Sequence, residues 1–359
     1  MKRKGLLTLF GSICLVLMIA LLPFMAACAK PAPAPAPAPA PTPAPSPPAL
    51  PESIAVGTSS IGSAVYVVAA GATDFISKYT PMSATVEAVG GSDANARALS
   101  AGKVDASFLN SFAAANAFQG TLQFAEEGKI PIRLLAQGYS SFRGLVATPG
   151  SGIKSGADLK GKKLIAKRKA LAELEMAADA ILKAYGIDKA DVTYIETAKT
   201  PETVDALRAG TVDASIFPAG YPNPNLTELS ETVGLTFVSF PEDKMEIILK
   251  ELGPAFFSDV TPAGTYKGQD EDVHWPALTM TFATTEGFPE EAAYQVVKAV
   301  MGHYDEFKLV HHSATFFTPE RSLAHFGVPF HPGAIRYYKE IGAWTSNNEQ
   351  TQQSLLKGS

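Results

Sequence analysis

The chain has 359 residues and a formal net charge of −5, with 46% hydrophobic and 18% charged residues. This length holds two medium globular units, and the composition is that of a packed protein. The acidic balance argues against nucleic acid as a partner, and no long apolar run follows the N-terminal one, which excludes a pore or multi-span domain.

In chain order, Lys2, Arg3 and Lys4 precede an uncharged apolar stretch from Leu6 to Phe24, followed by Met25-Ala26-Ala27-Cys28. This order resembles a bacterial lipoprotein signal with its lipobox. The resemblance implies cleavage before Cys28 and lipidation of that cysteine. Cys14 would leave with the signal, so the mature chain would hold one cysteine and no disulfide. Losing three basic residues and no acidic one takes the net charge from −5 to −8. An uncleaved N-terminal anchor is the alternative. Both place the remainder outside the cytoplasmic membrane.

Residues 31–48 are Pro-Ala repeats with Thr42 and Ser46. Proline lacks the N–H and fixes φ, so the segment favours polyproline II and reads as a stiff spacer. The globular part begins near Ser53. Ile54 to Gly57 reads as a buried strand, Thr58 to Ser63 as a small polar loop, and 64–79 as a helix with Val65, Val68, Ala69, Ala72 and Ile76 on one side. Thr85 to Val89 is the next strand, and Asp93 to Ser100 a short helix. Alternating strand, loop and helix predict an α/β fold with mainly parallel strands.

An internal echo organises the rest. Leu99-Ser100-Ala101-Gly102-Lys103-Val104-Asp105-Ala106-Ser107 recurs as Leu207-Arg208-Ala209-Gly210-Thr211-Val212-Asp213-Ala214-Ser215. Each copy reads as a helix end, a glycine cap and a buried strand. The spacing is too long for a solenoid and predicts two similar α/β lobes. Leu164 to Ala166 would open the second lobe, Ala170 to Tyr185 would be a helix, Thr279 to Ala283 a strand and Pro289 to Phe307 a helix.

Several ordered elements resemble the TAXI family, the substrate-binding subunits of TRAP transporters. They are Val56-Gly57-Thr58 with Gly62 and Tyr66, Gly91-Ser92 with Asn95, the Ala-Gly turn at 101–106, Gly152-Ile153-Lys154-Ser155 with Asp158-Leu159-Lys160-Gly161-Lys162, Asp213-Ala214 leading to Gly220, and Pro262, Gly264 and Tyr266. The resemblance implies two lobes of the type II periplasmic-binding-protein kind joined by hinge strands, a carboxylate or amino-acid-like ligand at the cleft, and delivery to a TRAP membrane permease. Lys167-Arg168-Lys169 departs from it, because the family has a small Gly/Ser-rich loop there. The expected division is a signal over 1–27, acylated Cys28 and spacer over 28–52, a first lobe from 53–143 and 240–345, a second lobe over 144–239, and a tail over 346–359.

In open α/β sheets, ligands sit beyond the carboxyl ends of the strands. The loop with Thr58, Ser59, Ser60 and Ser63, followed by Tyr66, offers hydroxyls and N–H groups to a carboxylate; Ser63 fits an N-cap equally well. Gly91, Ser92 and Asn95 form a second candidate site, with capping open as the role of Ser92 and Asp93. Asn110 and Ser111 follow the next strand, and Phe217, Ala219 and Gly220 stand at the equivalent point of the second lobe. Lys167 and Arg168 are candidate ligand cations because, at a helix N-terminus, they would oppose its dipole unless an anion were bound; a solvated basic surface is the other reading. Arg143 is a second clamp, and Tyr139 either stacks on ligand or packs in the core. The six histidines lack metal-ligand spacing, and no nucleophile elbow or phosphate loop occurs. The expected function is therefore capture by hinge closure without catalysis, cofactor or metal, outside the cell membrane and tethered to it. A binding subunit of an ABC importer and a ligand-sensing lobe for a receptor are the alternatives.

Overall fold

The computed structural model describes residues 50–253 and 255–357; the expected signal, Cys28 and the Pro-Ala spacer lie outside them. The first segment of chain runs β1 (Ser53–Ser59), α1 (Ala64–Tyr79), β2 (Ser83–Gly90), α2 (Ser92–Ser100), β3 (Ala106–Asn110) and α3 (Ser111–Gln119). α1 forms where its apolar stripe predicted it: Val65, Val68, Ala69, Ala72 and Ile76 are all buried, and Ser63 caps it by accepting from Tyr66 N–H at 3.3 Å.

A 16-residue strand, β4 (Ile132–Ala147), follows. Next come β5 (Lys163–Lys167), α4 (Glu173–Ala184), β6 (Thr193–Glu196), α5 (Thr200–Arg208), β7 (Ala214–Ala219), α6 (Pro224–Thr232), β8 (Thr236–Val238) and α7 (Glu242–Leu252). The chain continues through β9 (Phe257–Thr261), β10 (Val273–Thr285), α8 (Glu290–Met301), α9 (Tyr304–Phe307), α10 (Pro319–Ala324), α11 (Pro332–Glu340) and α12 (Ser346–Lys357). The sheet order is β2-β1-β3-β10-β4-β7-β5-β6, with β8 added to β4 and β9 to β10. Pairing is parallel towards both ends, β1 with β2 and β3, and β5 with β6 and β7. It is antiparallel around the two long central strands.

Two hydrophobic cores flank this sheet. The first holds Val56, Val68, Phe108, Leu134, Phe282, Val297 and Tyr338. The second holds Phe142, Leu145, Leu164, Ile181, Ile216, Phe217 and Trp275. β4 contributes to both, with Leu134 in one and Leu145 in the other, and so does β10, with Phe282 and Trp275.

Three expectations differ from what forms. The return to the first core comes later than residue 240, because Phe240, Ile248, Leu252, Tyr266, Trp275 and Leu278 all pack into the second core. The helix expected over 289–307 divides into α8 and α9 around Gly302 and His303. Residues 346–357 are a docked helix and not a tail: Asn348 donates to Leu323 C=O at 3.0 Å, and the Gln352 amide bonds both backbone groups of Phe330, at 2.8 and 3.0 Å.

Both copies of the echo do the same structural work. Asp105 accepts from Ala55 N–H at 2.8 Å, and its own N–H donates to Ala55 C=O at 2.8 Å. Asp213 treats Lys163 identically, at 2.7 and 2.9 Å. Gly102 and Gly210 supply the left-handed turns before them, at φ +61 and +63°. Each aspartate thereby ties the third strand of its set to the first.

Candidate functional site

Between the two cores lies a narrow crevice lined by residues from both. From the first side come Ser59, Ser63, Gly91, Ser92, Asn95 and Phe108; from the second come Leu171, Thr200, Pro218, Gly220 and Asn223; from the long strands come Tyr139, Ser141, Arg143 and Met280. These positions sit at carboxyl ends of strands and helix starts, where the backbone leaves N–H groups pointing outward. The cavity at its centre is about 30 Å³, on the order of one water's share of liquid volume.

Arg143 is the dominant charge. It is 1% exposed, its Nη1 donates to Ser141 Oγ and to the carbonyls of Ser141 and Phe142, and its Nη2 meets Glu173 Oε1 at 2.5 Å. Asn110 Nδ2 donates to the same oxygen at 2.8 Å, while Asn110 Oδ1 caps α3. This network leaves two groups without partners, Arg143 Nε and Glu173 Oε2, both buried. An unpaired buried donor on a cation costs on the order of 1–3 kcal/mol or more, so the geometry favours an acceptor supplied from outside.

Arg168 is also buried, but the structure gives it a different setting from the one expected. Its Nη1 donates to Thr200 Oγ1 at 3.1 Å and its Nη2 to Thr203 Oγ1 at 3.0 Å, with no carboxylate bonded to it, and Nε is unpartnered. Burial is the main cause that lowers its pKa to about 10. Arg168 stands behind Thr200, and Thr200 reaches the crevice. Lys167 turns to the surface, where its Nζ lies 3.2 Å from Glu175. The dipole argument for this basic run does not hold, because α4 starts at Glu173 with Glu173 and Glu175 in its first turn.

Side chains also bridge the crevice directly. Asp93 Oδ2 accepts from Ala172 N–H at 2.8 Å, Asp93 N–H donates to Ala170 C=O at 3.1 Å, and Oδ1 accepts from Gln123 Nε2 at 2.8 Å. Ser60 Oγ accepts from Thr200 N–H at 3.3 Å, and Asn225 Nδ2 donates to Gly62 C=O at 2.8 Å. Gly91 abuts the 170–172 turn, where a Cβ would lie 2.5 Å from Ala170 O. Burial, followed by the charge of Glu173, pushes Asp93 up to about 7.

Of the candidates from sequence, Ser59, Ser63, Gly91, Ser92, Asn95, Tyr139, Arg143 and Gly220 line the crevice. Tyr139 packs edge-on against Phe317, its ring meets Gly220, and burial raises its pKa, which keeps the phenol a donor. Ser60 and Asn110 act one layer behind through the bonds above. Thr58 Oγ1 is buried without a partner. Tyr66 contributes its N–H to the Ser63 cap, Phe217 is a second-core residue, and Ala219 is buried in β7. Ser111 faces a separate groove and accepts from Thr279 N–H at 3.3 Å. Glu173, Thr200, Ser141 and Asn223 were not singled out from sequence. Thr200 had a signal: it occupies the place in the second copy that Ser92 occupies in the first. Among the described residues, no group of three His, Cys, Asp or Glu could hold a metal ion, and no helix is long and apolar enough to cross a membrane.

A sequence profile of the NMT1-like family matches residues 56–342. Among solved structures, an ancestral arginine-binding protein bound to arginine is similar at 16% identity, covering 73% of this chain and 98% of that one, with a TM-score of 0.45. The alkanesulfonate-binding protein SsuA from Xanthomonas axonopodis pv. citri, bound to MOPS, is similar at 14% identity over 85% and 84% of the two chains, with a TM-score of 0.46. The amino acid ABC transporter substrate-binding protein AbpA from Streptococcus pneumoniae, bound to L-arginine, gives 12% identity, 86% and 95% coverage and a TM-score of 0.41.

Proposed function

The chain belongs to the NMT1-like family, and we propose that it is an extracytoplasmic solute-binding protein that captures a small carboxylate-containing molecule between two lobes. The observation that carries this reading is Arg143, a buried guanidinium facing a two-sided crevice with one N–H left unpaired. Charge-assisted hydrogen bonding to a ligand carboxylate would complete it. The cavity is too small to admit such a molecule as it stands, so capture requires the halves to part and close again about β4 and β10.

The division into lobes, the lipid on Cys28, the TRAP-type permease suggested by the TAXI resemblance, and the absence of a chemical step belong to this same reading. Mass spectrometry of small molecules released from natively purified protein, followed by calorimetry with the compound found, tests it. Arg143→Met should weaken binding by about 100-fold or more, as expected for losing a buried charged partner. Full affinity in that variant, or conversion of the compound to product, would overturn the assignment.

A further inference from the structure

We propose that a groove on the back of β4 and β10 is a second binding site, for a small neutral molecule with an apolar body and a polar end that donates and accepts, and that filling it favours closure of the crevice. The site itself stands without the solute-capture reading; its effect on closure rests on that reading.

The groove holds about 680 Å³, within the range of about 300–1,000 Å³ usual for small-molecule pockets. The strand register sets it back to back with the crevice. Thr279 pairs with Ser140 and Thr281 with Gln137, on either side of a register shift, and paired residues share a face of the sheet. Thr279, Thr281 and Gln137 line the groove, whereas Met280 and Tyr139, inside the shift, line the crevice. Alternation along β10 turns Met280 away from its two neighbours, so the two spaces occupy opposite faces of the same strands.

The groove walls come from both halves. Leu134, Leu323 and Val328 belong to the first core, while Ala255 and Phe257 pack against the second. Parting the halves at the crevice therefore draws these walls together. A molecule seated between them resists that movement and favours the closed form.

The floor sets the chemistry. Gln137 is 3% exposed, and its Nε2 donates both hydrogens, to the C=O groups of Ser322 and His325, each at 2.8 Å. The amide is locked, and its Oε1 accepts from no group among the described residues. Ser111 Oγ accepts from Thr279 N–H at 3.3 Å and gives its own hydrogen to no group of the described chain. The floor thus offers one acceptor and one donor. Its charge is already met: Arg321 Nη2 donates to Ser140 Oγ at 3.0 Å, and Ser140 donates to Asp259. A charged ligand would lose water here without gaining a free counter-charge, so a neutral amide or alcohol on an apolar body fits best.

Ligand-observed NMR with 2-phenylacetamide tests the site, with phenylacetate as the charged control. The amide should bind and the acid should bind about tenfold more weakly or worse. Ala324→Trp fills the groove from an exposed position and should abolish binding with the melting temperature unchanged. Ser111→Ala should weaken it by about threefold or more. No binding of the amide, tighter binding of the acid, or binding that survives both substitutions would overturn the site. Calorimetry tests the coupling: saturating amide should tighten the compound released from the crevice by about fivefold or more, and unchanged affinity would sink it. A failure of the solute-capture reading would show instead as no released compound, with the amide still bound.

Discussion

The two copies of the Val-Asp-Ala-Ser turn share a frame and differ in what they present to the crevice. Asp105 and Asp213 make the same pair of bonds to the first strand of their sets. One residue pair later the copies part: Ser107 Oγ donates to Gly57 C=O at 2.8 Å, whereas Ser215 Oγ is buried without a partner. The loops after the first strands diverge more. After β1 the chain runs through small hydroxyl residues into a capped helix; after β5 it runs through Lys167, Arg168 and Lys169 into α4, whose N-terminus has no side-chain cap. Ser92 and Thr200, in equivalent places, both line the crevice, but only Thr200 is backed by a buried arginine. Repetition maintains the backbone, and the buried Arg168 stands where the copies are least alike.

The comparison can be broken at graded cost. Glu173→Ala leaves Arg143 buried without its counter-charge and should cost about 3–5 kcal/mol in urea unfolding. A loss below about 1 kcal/mol would mean that Arg143 is satisfied by other means. Gly91→Ala puts a Cβ 2.5 Å from a backbone oxygen across the crevice. Ligand affinity should fall at least tenfold, about 1.4 kcal/mol. Gly220→Ala, whose Cβ meets the ring of Tyr139 at 2.5 Å, should cost less, because a ring can shift. Asp105→Ala and Asp213→Ala should each lose about 1 kcal/mol, and by similar amounts in the same denaturation assay. Unequal losses would show that the same pair of bonds contributes differently in the two halves. Lys167→Ala, which removes a half-exposed ion pair with Glu175, should change stability by less than about 0.5 kcal/mol and leave binding untouched.

Much of the fold could be read from residue order because its signals are local. The stripe on α1, the glycine turns and the strands around the echo lie near where they were expected. β4 escaped notice for a physical reason: all 16 of its residues are buried, so it shows no alternation, and its polar and glycine residues suggest a loop. Gly138 and Gly144 are small there to admit Phe317 and Trp275, which come from distant sequence. In the site, hydroxyl and glycine positions at strand ends were legible. Glu173 was not, since a glutamate near a helix start looks like an ordinary solvated residue. Arg168 was noticed as a cation, but which groups it would meet depended on how α5 packs.

One further consequence follows from the late return of the chain to its first core. Val56 near one end of the described chain and Tyr338 near the other belong to the same apolar cluster. During synthesis, α1 and α2 emerge long before α8 and α11, so their apolar faces must wait uncovered. The second core, built from residues between Phe112 and Leu278, has all its parts earlier. The order of assembly would then be inside out, with the intervening segment consolidating before the flanks that enclose it. A chain whose outermost contacts close last stays threadable until nearly all of it has been made.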